Sequence, residues 1–201
     1  KISKLDRKSP RVFYRMREIH LKSEDWAMAV DVQKKLISRI QDREKKIKEK
    51  KTLGRYIYNN GMRYFGNDNF EAAIPEFKKA LREDAQCLSA HIVLGDAFMK
   101  TGNGKGALKT WKTGYENTNS PVCLIKMENF YRESNQIGKM VKVYKEAIKN
   151  SQNSIRETLI LLLGSLCLGE GNLQDTIELI KENTGSRRAI IPCLILADAY
   201  K

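Results

Sequence analysis

The sequence predicts an all-α chain, an array of antiparallel helix pairs wound into an α-solenoid superhelix. Three observations predict it. Ala, Leu, Ile, Glu and Lys dominate a chain of 201 residues with only four prolines and thirteen glycines, a composition that favours helix. Large and small apolar residues recur in one order about every 34 residues, the period of a helix–turn–helix unit. Turn-forming pairs fall at the same offset in each copy.

The copies follow in order. The clearest begins at Gly54 and reads Ile57, Asn60-Gly61, Tyr64, Ala73, Phe77 and Ala80. The next reads His91, Leu94-Gly95, Phe98, Ala107, Trp111 and Gly114. A third has Leu124, Met127-Glu128, Tyr131, Met140, Tyr144 and Ala147, and a fourth has Ile160, Leu163-Gly164, Cys167, Thr176, Ile180 and Asn183. Cys193, Leu196-Ala197 and Tyr200 open a fifth, while Phe13, Met16-Arg17, His20 and Ala29 form a degenerate first copy. Repeats are thus expected to start near 54, 88, 121, 157 and 190, after a region 1–53 that holds the degenerate copy and a basic helix.

The turns recur in phase as Asp68-Asn69, Gly102-Asn103, Asn135-Gln136 and Gly171-Asn172, with Ser23-Glu24-Asp25 in the first copy. One residue accepts the left-handed conformation that ends a helix, and the next caps the helix that follows. Pro10, Pro121 and Pro192 fall where first helices begin, a place that tolerates a missing donor. Pro75 falls within a second helix, in its opening turns or at a kink.

This pattern resembles the tetratricopeptide repeat, a helix–turn–helix of 34 residues. Small residues at the crossing points (Gly61, Gly95, Gly164; Ala29, Ala73, Ala107) let helices approach closely. Larger residues fill the layer between repeats, and stacking supplies a core that no single pair could bury.

About ten extra residues separate the first two copies, around Arg39–Lys51, and read as a helix extended beyond the repeat, polar on most faces. This segment carries much of the charge. The chain has a net charge of +13, of which +9 lies in residues 1–53. Such an excess suits nucleic acid or an anionic membrane surface. Acidic residues among the lysines fit a solvated or membrane-facing helix better than a nucleic-acid surface.

Catalytic patterns are absent. There is no G-x-S-x-G, no H-E-x-x-H and no Cys/His pair at catalytic spacing. Gly102-Asn103-Gly104-Lys105-Gly106 lacks the earlier glycine and the Ser/Thr of a phosphate loop and reads as a turn. Cys87, Cys123, Cys167 and Cys193 stand apart, without a C-x-x-C pair, as reduced, buried thiols of a cytosolic protein would. His20 and His91 occupy core positions. No cofactor, metal site or enzymatic activity is expected. The longest apolar run, Thr158–Leu168, is too short to cross a bilayer. A chain that starts at Lys1 and stops within a helical pattern reads as a piece of a longer protein.

Counting to inward, non-core positions of the first helices selects Tyr14, Glu18, Arg55, Tyr58, Met62, Phe65, Ile92, Asp96, Met99, Asn129 and Arg132. Tyr, Met and Arg together suit a protein contact surface, here a concave groove for a peptide or helix. The Lys and Asn that grip chaperone C-termini are replaced by Tyr58/Met62 and Ile92/Asp96, which argues against that clamp.

A narrower likeness lies in the order of parts. A degenerate repeat with Glu24-Asp25-Trp26-Ala27-Met28-Ala29-Val30-Asp31-Val32 precedes the extended helix. A regular repeat follows, then Asp84-Ala85-Gln86-Cys87-Leu88-Ser89-Ala90-His91-Ile92-Val93-Leu94-Gly95-Asp96. Over roughly Val12–Lys181 this resembles the middle repeats of the bacterial lipopolysaccharide assembly protein B family. The resemblance implies an adaptor on the cytoplasmic face of the inner membrane, with an N-terminal membrane helix and a C-terminal zinc ribbon outside this sequence. It implies two partners, a membrane protease and the deacetylase that commits cells to lipid A synthesis. It assigns no catalytic residue. A protein-interaction scaffold is therefore the leading expectation, a nucleic-acid-binding repeat protein the alternative, and homo-oligomerisation stays open.

Overall fold

The computed structural model describes residues 10–171, with only the backbone at Asn153. The second half of the fourth copy, the copy starting near 190, Pro192 and Cys193 lie outside the described residues. The described residues form nine α-helices and no strand. They are α1 (Pro10–Lys22), α2 (Trp26–Ile37), α3 (Arg43–Gly66), α4 (Phe70–Glu83), α5 (Leu88–Lys100), α6 (Gly104–Thr118), α7 (Pro121–Glu133), α8 (Ile137–Asn150) and α9 (Asn153–Gly169). Two compact units divide between Thr118 and Asn119. In the first, α1 to α6 pack each on the next; in the second, α8 packs on α7 and α9, and α7 also touches α9.

Among the described residues, α1–α2, α3–α4, α5–α6 and α7–α8 each close through the same three-residue turn. Its middle residue is left-handed, with φ of 53° at Glu24, 55° at Asp68, 74° at Gly102 and 53° at Asn135. The amide that follows donates back five residues, from Asp25 to His20 (2.9 Å), Asn69 to Tyr64 (2.9 Å), Asn103 to Phe98 (2.8 Å) and Gln136 to Tyr131 (2.7 Å). This is a Schellman closure, which satisfies carbonyls that the ending helix would leave orphaned. In three turns the residue after the left-handed one caps the next helix: Asp25 accepts from Met28 N, Asn69 from Ala72 N and Asn103 from Gly106 N. Gln136 makes no side-chain cap. The turns ending at Asp25, Asn69 and Asn103 thus carry both functions, Asn135-Gln136 carries only the first, and a glycine is not required at each; Asn172 of the last pair lies outside the described residues.

Close crossing by small residues builds the core. Ala29, Ala73, Ala97 and Ala107 have no exposed surface, and Phe77 sits fully buried against Leu94, Ala73 and Ala97. Gly95 lies directly over the Trp111 indole, whose Nε1 donates to Ile92 O at 3.3 Å. Burying a ring such as Phe77 contributes about 1.5–3 kcal/mol. Pro10 and Pro121 open α1 and α7. Pro75 lies in the second turn of α4, where its missing amide forgoes one intrahelical bond.

The segment between the first two copies differs from expectation. It is not one helix running on from α2. Residues 38–42 break the chain, and Asp42 starts α3 by accepting from Lys45 N. The lysine-rich stretch is therefore an N-terminal extension of the Gly54 repeat's own first helix. That gives α3 24 residues, where α1, α5 and α7 have 13 each. Position 53/54 falls inside a helix. The fourth copy's helix likewise starts at Asn153, four residues before 157.

The extension is anchored by polar contacts. Gln33, wholly buried, donates through Nε2 to Glu49 O (2.9 Å) and Glu49 Oε2 (2.7 Å). Its Oε1 accepts from Arg17 Nη1 at 2.9 Å, and the same guanidinium pairs with Glu49 Oε2 at 3.0 Å. Three helices thus meet at one carboxylate. The other residues from Arg43 to Lys51 are exposed, so the helix is solvated except along the face Glu49 turns to α1 and α2. His91 is buried, as its core position predicts, with Nε2 2.9 Å from Ala85 O. His20 is not; it is half-exposed, 3.8 Å from Asp25. Cys123 and Cys167 are buried and in no disulfide, and Cys87 is half-buried.

Candidate functional site

The residues of the expected groove fall on four helices. Tyr58, Met62 and Phe65 follow one another along one face of α3, at the spacing that aligns side chains on a helix. They flank the Phe77 cluster and stay half-exposed. Tyr58 stands 5.7 Å from the Phe77 ring. Phe65 lies 5.2 Å from Phe70 and 6.3 Å from Phe77, so it closes the repeat's own core more than it faces outward. On α5, Ile92, Asp96 and Met99 are half-buried, and Ile92 lends its carbonyl to Trp111.

Tyr14 belongs elsewhere. It packs on the Phe13 cluster of the first pair, its hydroxyl donates to Glu49 Oε1 at 3.3 Å, and Arg17 lies over its ring. It serves the α1–α3 anchor. Glu18 on α1 is exposed. Asn129 and Arg132 belong to the second unit. Arg132 is no free cation: it pairs with Glu128 at 3.0 Å and Glu170 at 3.2 Å, tying α7 to the end of α9. Glu128 also accepts from the buried Tyr144 hydroxyl at 2.8 Å. Burial, and then that bond, push the Tyr144 phenol far above its ordinary range.

The first unit holds a cleft of about 520 Å³ that the sequence pattern missed in part. One wall is the face of α3 that carries Lys48, Lys51, Arg55 and Tyr58; Asp84, Cys87 and Ser89 close the other side, where α4 ends and α5 begins. Repeat position picks out Arg55 and Tyr58 but not Lys48 and Lys51, which precede the repeat. Their signal was present in the 48, 51, 55, 58 spacing, which is one helix face, once Asp42 is read as the cap of α3. Burial, with a further contribution from Cys87, raises the Tyr58 phenol. Tyr58 therefore presents a neutral O–H donor at ordinary pH.

Among the described residues no group of three or more His, Cys, Asp or Glu is placed to hold a metal ion. No described helix is long and apolar enough to cross a membrane.

The helix pairs, their in-phase turns and their small-residue crossings define the class: an all-α solenoid of tetratricopeptide repeats. No family model matches the chain, and no curated protein matches it. Similar solved structures include MamA, at 16% identity over 86% of this chain and 88% of that one, TM-score 0.45. YrrB, a TPR protein with an unusual peptide-binding site, has 13% identity over 97% and 90%, TM-score 0.46. A TPR repeats protein from Bacteroides fragilis has 16% identity over 96% and 84%, TM-score 0.44. The repeat assignment rests on the turns and packing, not on these likenesses.

Proposed function

We propose that the chain is a non-catalytic scaffold that holds a segment of a partner protein against its first helices. The observation that carries this is the α3 face. Tyr58 and Met62 stay half-exposed beside exposed Arg55, although Gly61 and Ile57 on the same helix are buried. Half-exposed Tyr and Met beside Arg make the kind of surface that supplies binding anchors. The buried polar side chains among the described residues support the non-catalytic part, because each makes a structural hydrogen bond. Gln33 binds Glu49, Asn60 donates to Glu76 Oε2 at 3.2 Å, and His91 meets Ala85 O.

The order of the repeats and the long α3 also support a narrower reading, an adaptor of the lipopolysaccharide assembly protein B kind. On this reading the chain works on the cytoplasmic face of a bacterial inner membrane and brings a membrane protease to a lipid A deacetylase. Reconstitution tests it: the chain should speed degradation of purified deacetylase by the purified protease, and an unchanged rate would remove this reading. The scaffold itself is tested by titrating an identified, purified partner against Tyr58→Ala, Met62→Ala and Arg132→Glu. Loss of affinity in the first two is expected, and unchanged affinity in all three would remove the groove assignment.

A further inference from the structure

From the basic cleft beside α3 we infer that the partner segment is an acidic peptide, bound in extended form with its carboxylates on Lys48, Lys51 and Arg55; this rests on the scaffold reading and narrows it. The cleft exists because α3 is long. An ordinary first helix here has 13 residues, and one starting near Gly54 would have neither Lys48 nor Lys51. The extra turns run past the start of α5 and supply the basic wall, so the extension makes a site as well as a solvated helix.

Charge selects the occupant. Three cations face the cleft against one carboxylate, Asp84, and none of the three is in an ion pair among the described residues. All three are exposed, so their side chains can reach a ligand without breaking an ion pair; Arg55 also lies 5.8 Å from the Tyr56 ring centroid. Tyr58 and Ser89 add hydroxyl donors on the two walls.

Size sets the form. Lys48 to Arg55 spans about 10 Å along the helix at 1.5 Å per residue. An extended chain rises about 3.3 Å per residue and turns alternate side chains the same way. About three residues therefore fit the length, and carboxylates two positions apart face the cations together. Asp84 on the facing wall opposes a continuous run of phosphates, on a membrane surface or a nucleic-acid backbone alike.

The test is fluorescence anisotropy on the full chain with labelled eight-residue peptides of Ala and Gly carrying Glu at two alternate positions, and a Gln counterpart. The Glu peptide should bind at least about tenfold more tightly than the Gln peptide. Its affinity should fall by a similar factor in Lys48→Gln/Lys51→Gln/Arg55→Gln, and fall with added salt. Because these three side chains are exposed, the variant should melt as the parent does. Equal binding of both peptides, lost in Met62→Ala but not in the triple variant, would overturn the acidic-peptide assignment and leave the scaffold reading standing. Tighter binding of a ten-nucleotide single strand, lost in the triple variant, would overturn it in favour of nucleic acid. No binding of either peptide would also overturn it, while the scaffold reading would still be decided by the partner titration.

Discussion

Replacing Gly95 by Ala tests the packing logic of the repeat at its tightest point. In isolation this change favours a helix, by about 1 kcal/mol. Here a Cβ on residue 95 would lie 2.0 Å from Trp111 Nε1 and 2.4 Å from its Cε2. Ordinary contact begins at 3.4 Å, so the indole must retreat by about 1.4 Å. Trp111 is 2% exposed and therefore hemmed in by neighbouring groups. Its retreat strains neighbours at a cost of about 1–3 kcal/mol and stretches its bond to Ile92 O, worth about 1 kcal/mol. Net destabilisation of about 1–3 kcal/mol is expected. In a chain of this size that lowers Tm by about 2–4 °C per kcal/mol. Circular dichroism under urea and heat measures it, and Trp111 fluorescence in a Trp26→Phe background reports the indole's displacement. Gly66→Ala is the control: nothing lies within 4 Å of its added Cβ, so it should stabilise by about 0.5–1 kcal/mol. A Gly95→Ala chain as stable as the parent would refute the close-crossing argument.

Three further outcomes are expected. Gln33→Ala should cost about 2–4 kcal/mol, because it strips partners from Arg17 and Glu49 together; hydrogen exchange should then rise across 43–50 more than across α5. Glu24→Gly should stabilise by about 0.5–1 kcal/mol in chemical denaturation, since residue 24 has φ 53° without a glycine and pays for a left-handed backbone. Burial raises the Cys123 thiol to about 11. An unfolded thiol ionises from about 9, so this contribution to stability is complete below pH 9 and is lost as pH rises from 9 to 11. Cys123→Ala should flatten that part of the stability profile, and Cys87 should react with a thiol reagent at pH 8 well before Cys123.

The linear chain made the repeats legible because each contact that builds one is local. The left-handed turn residue, the cap after it and the small crossing residue lie within one helical hairpin. Their identities at Asp68-Asn69, Gly61 and Ala73 therefore report geometry directly. Glu24 shows that the position in the pattern counts for more than the residue type. Tertiary structure decided what depends on contacts far apart in sequence. The break at 38–42 and the start of α3 at Asp42 could not be seen in a stretch without Gly or Pro. Arg17, Gln33 and Glu49, 16 and 32 residues apart, settle how the long helix docks. Likewise Arg132 reads as a free cation until Glu170 is placed beside it. Lys48 and Lys51 read as solvated charge until Asp84, Cys87 and Ser89 close a cleft around them. Periodicity shows which face a residue is on, but only packing shows what meets it there.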